Sequence, residues 1–142
     1  MEELLDKIAK LIQEAKNKIK GETKDNRPIT ERVKTFEDAC REIGLFTGRY
    51  PDYLMERQVA MCKLEIITKA LNEGWTPNWD DNNECKWIPY FVMSAAGFRF
   101  CGSNYVYSNA GAGCSSLLRF KSEALAKYAG EQFTELYKEI ML

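Results

Sequence analysis

Apolar residues recur at Leu5, Ile8, Ile12, Ala15 and Ile19, in steps of three and four. That spacing predicts a helix over residues 3–20 with a narrow apolar seam, which Leu4 and Leu11 widen. Glu14 and Lys18 form an i,i+4 pair on its polar side. Two heptads do not define a coiled coil, so the seam suits packing on its own domain or pairing between subunits. The next stretch, GETKDNRPITER, is polar and interrupted by Gly21 and Pro28, and reads as a linker. The expected organisation is a helical arm at 1–20, a linker at 21–32 and a single domain at 33–142.

Beyond the linker, Thr35 offers an N-cap with Asp38 three residues on, and Gly44 ends the short helix between them. Pro51 and Asp52 open a longer helix, with Leu54, Leu64, Ile67 and Leu71 at helical spacing and Gly74 as its stop. From Trp75 the pattern changes. The stretch WTPNWDDNNECKW is a loop rich in turn formers. KWIPYFVM follows as a strand, with Pro89 marking an edge or bulge. FRFCGSNYVY is a second extended segment, and SLLRF a third. Ser122 then caps a final helix whose buried face runs through Leu125, Phe133, Leu136 and Ile140. The expected fold is α+β: a small antiparallel sheet of about three strands packed with helices.

Composition narrows the function. Twenty basic residues oppose twenty-one acidic ones, so there is no broad electrostatic footprint for duplex DNA. The chain contains no histidine, which excludes His-dependent triads, His zinc sites and histidine acid–base chemistry. Its five cysteines, Cys40, Cys62, Cys85, Cys101 and Cys114, are dispersed and odd in number, which argues against a disulfide framework. No apolar run reaches membrane-spanning length, and the N-terminal residues do not read as a secretory signal. A cytoplasmic protein with no membrane partner, metal or cofactor is the expectation.

Three stretches carry candidate chemistry. YSNAGAGCSSLLRF, residues 107–120, holds Ser108, Asn109, Gly111, Gly113, Ser115 and Ser116 in a run of small residues. Such a run can turn backbone N–H groups towards an anion, or can simply be a turn. It lacks the lysine of a P-loop and the glycine spacing of a dinucleotide fingerprint. The second is aromatic: Trp75, Trp79, Trp87, Tyr90, Phe91, Phe98, Phe100, Tyr105 and Tyr107 crowd one third of the domain. Such rings fill cores or stack on bases. Arg99 and Arg119 each lie between apolar neighbours. On adjacent strands both guanidiniums would share one open face with Asn104, Tyr105 and Tyr107, a pocket for a planar anion. The third, Asp80 to Glu84, offers hard oxygen donors, but lacks the alternation and central glycine of a calcium loop.

The stretches RVKTFEDACREIG, KLEIITKALNEGWTPNW, KWIPYF…GFRF and RFKSEALAKYAGEQFTELYKEIM carry a resemblance to a group of small proteins from phages and prophages of gut Bacteroidetes. The resemblance covers residues 30–142 and leaves out the first helix. It implies an accessory protein of a mobile element in a bacterial host, and transfers no activity and no site residue. The expected function is therefore a non-enzymatic binder of a nucleotide-like ligand, a nucleic-acid strand or a host protein, such as an inhibitor or sponge of host defence. The alternatives are an assembly protein that forms a homo-oligomer through residues 3–20, and a carboxylate-dependent hydrolase.

Overall fold

The computed structural model describes residues 1–22, 25–45, 50–109 and 116–142, the side chains of 18–22 and 116 excepted. In chain order come α1 (Glu2–Glu22), α2 (Ile29–Arg32), α3 (Phe36–Glu42), α4 (Glu56–Leu71), β1 (Lys86–Ser94), β2 (Gly97–Val106), a 3-10 turn (Ser116–Leu118), α5 (Glu123–Gln132) and α6 (Thr134–Met141). The fold is α+β with an antiparallel sheet. No helix among the described residues is long and apolar enough to cross a membrane.

The N-caps form where the sequence places them. Thr35 Oγ1 accepts from Asp38 N at 3.1 Å, and Asp38 Oδ2 accepts from Thr35 N at 3.1 Å. The Lys34 N–H, which also donates to Asp38 Oδ2, and then the Thr35 contacts hold the Asp38 carboxyl below its ordinary range. Ser122 Oγ accepts from Leu125 N at 3.3 Å to start α5. The final four residues of the segment expected to link become α2. Ile29 enters the core there, and Arg32 pairs with Glu42 and Glu73. α4 starts at Glu56 rather than beside Pro51, where Gln58 Oε1 accepts from Met55 N at 2.8 Å.

The sheet has two strands, not three. β1 and β2 pair from Lys86↔Val106 to Ser94↔Gly97, with one register shift between Tyr90 and Phe91. Cys101 is the extra residue there, next to Gly102 at φ +130°, a backbone that suits glycine. The expected third strand is instead a 3-10 turn followed by a single bridge, Phe120 to Trp87. Burial explains the difference. Leu118, Arg119 and Phe120 are all buried. A half-covered strand would have sent the middle residue out to solvent.

The expected final helix is likewise divided at Phe133. Thr134 Oγ1 donates to Gly130 O at 2.6 Å and Glu131 O at 3.0 Å, turning back on the preceding helical turn and bending it. Its apolar face still packs on the core, with Leu125 and Phe133 buried and Leu136 and Ile140 partly buried. The core includes Leu64, Ile67 and Leu71 of α4 and Leu125, Ala126 and Ala129 of α5, together with Val33 and Phe120. Phe91 stacks on Phe98 at 4.7 Å and lies 5.1 Å from the ring of Tyr137. Each such large side chain taken out of water contributes about 1.5–3 kcal/mol. Gly130 sets how close α5 comes to the sheet: a Cβ there would stand 2.5 Å from Phe100 Cε2.

Candidate functional site

The residues expected to form one anion pocket are placed in three different settings. Arg99 is exposed on β2, opposite Val92 near the hairpin turn. Arg119 is buried, and its neighbour Phe120 bridges Trp87 on the side of β1 away from β2. Val92 and Trp87 are five residues apart on β1, about 17 Å along the strand. The two arginines therefore do not share an open face, and their expected pairing is corrected. Gly111, Gly113 and Ser115 lie outside the described residues, as does Cys114, and Ser116 opens the 3-10 turn.

The remaining expected residues gather at the base of the hairpin. Asn104 Oδ1 accepts from Tyr105 N at 2.8 Å. The Tyr105 ring lies 4.9 Å from Trp87 and 5.5 Å from Tyr107. A side-chain hydrogen bond with Tyr105 raises the Tyr107 phenol above its ordinary range, with Cys85 beside it. Ser108 Oγ donates to Asp81 O at 3.2 Å, and Asn109 is exposed. This is an open aromatic ledge rather than an enclosed site.

A better-formed site lies on the other side of β1. Past Leu71, Glu73 and Gly74 take φ of +49° and +88°, turning the chain back so that Trp75 N donates to Asn72 O at 3.0 Å. Asn72 is itself buried. Its Nδ2 donates to Arg119 O at 2.8 Å, and its Oδ1 accepts from Lys121 N at 3.1 Å. One side chain thus fastens the 119–121 segment to the end of α4. Between them opens a cleft of about 400 Å3. Its walls are Glu65, Thr68, Lys69 and Asn72 of the α4 side, Trp75, Thr76, Pro77 and Trp79, and Leu117 with Arg119.

The acidic loop positions Trp79. Asn78 Oδ1 accepts from Asp80 N at 3.1 Å, Asp81 Oδ1 from Asn83 N at 2.9 Å, and Glu84 Oε1 from Asn78 N at 2.8 Å. Lys86 is fully buried beneath it, with Nζ donating to Asp81 O and Glu84 O, each at 3.2 Å. That ammonium lies 5.2 Å from the centre of the Trp79 ring, a cation–π contact that fixes one face of the indole. The Asp81 and Glu84 carboxylates are engaged by turn N–H groups and, for Glu84, by Lys86. Among the described residues no three His, Cys, Asp or Glu side chains converge as a metal site.

The cleft thus offers two half-buried indoles, a buried arginine, an exposed cation at Lys69 and one carboxylate, Glu65. Flat apolar walls with a few polar groups suit a planar ligand carrying negative charge. Sequence reasoning noticed the tryptophans and Arg119 but missed Thr68, Lys69, Asn72 and Lys86. The polar Asn72, two residues before the Gly74 helix stop, was the one local signal for them. A larger depression of about 810 Å3 lies between Leu54–Arg57 and the end of α6. It mixes Glu56, Glu135 and Glu139 with Arg57 and Lys138 and has no aromatic wall. No protein-family model, curated protein or solved structure matches the chain.

Proposed function

We propose that this protein binds a planar, anionic, nucleotide-like ligand in the Trp75–Trp79 cleft and holds it without transforming it. The observation that carries the reading is the conjunction of two indoles with Lys69 and Arg119 around about 400 Å3. That volume lies within the range of small-ligand sites. The indoles supply stacking surface, Thr68 and Asn72 add polar atoms at the wall, and the two cations favour a negatively charged group over a neutral one. Thr68 is not a nucleophile in this setting, because its hydroxyl donates to Leu64 O at 2.7 Å. Retention without chemistry is the behaviour of a sponge or inhibitor, a role that would suit an accessory protein of a mobile element.

Calorimetric titration tests the proposal. Adenine and guanine mononucleotides, and short single DNA strands, are the probes. Binding that weakens about tenfold or more in Trp79→Ala, the scale of one stacked base, supports it. Binding indifferent to Trp79→Ala and to Lys69→Glu contradicts it. Tighter binding of strands than of mononucleotides would make the ligand a nucleic acid that lays one base in the cleft.

A further inference from the structure

Every side chain from Met1 to Asn17 is exposed, including Leu5 at 60%, Ile8 at 45% and Ile12 at 50%. Among the described residues nothing covers the seam of α1, a helix about 31 Å long. We propose that a second copy of this chain covers it, the two α1 helices running antiparallel about a two-fold axis. The inference is independent of the nucleotide cleft, which shares no residue with α1.

Charge complementarity fixes the direction. The first turns carry Glu2, Glu3 and Asp6, whereas the sequence has lysine at 16, 18 and 20. A parallel pair would set acidic end against acidic end and basic against basic. An antiparallel pair sets each acidic end beside the partner's basic one. One register pairs the seam symmetrically about its middle. Leu5 faces the partner's Ala15, and Ile8 faces the partner's Ile12, so the layers are equally spaced from the axis. In that register Glu2 flanks the partner's Lys16, and symmetry makes the pair twice. Ala9 and Leu11 meet their own counterparts on either side of the axis. Such an interface is isologous, and therefore closes at two chains.

A membrane surface is the competing occupant of an amphipathic helix. The polar side of α1 carries both signs of charge, and no aromatic residue occurs before Phe36. Interfacial helices favour the opposite, a basic polar face with Trp or Phe on the other. The second copy is therefore the better-matched cover.

Sedimentation velocity on the full chain, over a concentration series into the high micromolar range, tests this. The wild type should shift reversibly from one copy to two. Ile8→Asp combined with Ile12→Asp should remain a single copy, with the far-UV signal of the body retained, since both positions are exposed. The direction is read by charge swaps. Glu2→Lys alone and Lys16→Glu alone should each weaken self-association by roughly fivefold or more, because two attractions become two repulsions. Mixed together, the two variants should pair at least as well as the wild type, because every contact is attractive again. A parallel pair would be left unchanged or strengthened by either single swap, because each relieves repulsion between like ends, and that result would overturn the proposal. A wild type that stays single at every concentration overturns it as well. So does one that stays single but co-sediments with vesicles containing phosphatidylserine.

Discussion

Phe98–Arg99–Phe100 and Leu118–Arg119–Phe120 are nearly the same tripeptide, an arginine between two large apolar residues. Their fates are opposite. In the first, the strand alternates: Phe98 and Phe100 pack towards Phe91 and the core, and Arg99 points to solvent. In the second, all three residues are buried, Phe120 joins β1 by one bridge only, and Arg119 forms part of the cleft wall. The difference is where the backbone hydrogen bonds go. Residues 98–100 are held by a full ladder to β1, which enforces the two-residue period. Residues 118–120 are held at Trp87 N and O and by the Asn72 side chain, which impose no period. A local pattern fixes the faces of a strand only when a neighbouring strand enforces them.

The sharpest break in the comparison is to truncate each arginine. Arg119→Ala should lower stability by about 3 kcal/mol in urea unfolding, because a large buried side chain leaves a cavity. Arg99→Ala should stay within about 0.5 kcal/mol of wild type, as exposed substitutions do. Equal effects would mean that the two settings are not different after all.

The packing behind Phe100 is the next point to strike. Gly130→Val should cost about 2 kcal/mol, since its first carbon alone would stand 2.5 Å from Phe100 Cε2 and 2.7 Å from Pro89 Cβ. The better helix propensity of Val recovers only part of this. An unchanged unfolding midpoint would show that α5 is free to move off the sheet. The smallest of the three effects belongs to the clamp on the other segment. Asn72→Ala removes two hydrogen bonds and strands the Arg119 carbonyl and the Lys121 N–H, for about 1–2 kcal/mol. Hydrogen exchange at Lys121 should quicken in this variant, while exchange at Arg99 stays as in wild type.

The same contrast shows what the sequence made legible. Thr35 and Ser122 announce their helices because a cap is a contact over three residues. The two hairpin strands are legible because their partners are adjacent. The course of residues 119–121 is not, because it is held by Asn72, forty-seven residues before Arg119. The break at Phe133 escapes the apolar pattern because that pattern continues across it, and only the Thr134 hydroxyl marks the bend. For the site, the crowding of aromatics between 75 and 107 was visible, but not which rings line a cleft. That sorting depends on Lys86, which begins a strand by pattern and ends fully buried beneath Trp79. α1 is the converse: the helix is legible from spacing, yet among the described residues nothing covers its apolar seam.

The three tryptophans give the most direct test of the cleft as the ligand site, since each indole N–H contributes one resonance to a nitrogen–proton correlation spectrum. Titrating the 15N-labelled protein with adenine and guanine mononucleotides should move the Trp75 and Trp79 indole signals together and saturably, assigned through the Trp→Phe variants. Trp87, packed against Tyr105 outside the cleft, should hold its position. Shifts confined to Trp87 and to residues 104–109 would place recognition on the aromatic ledge instead. No shift at any of the three, with either nucleotide or with short single strands, would contradict the account.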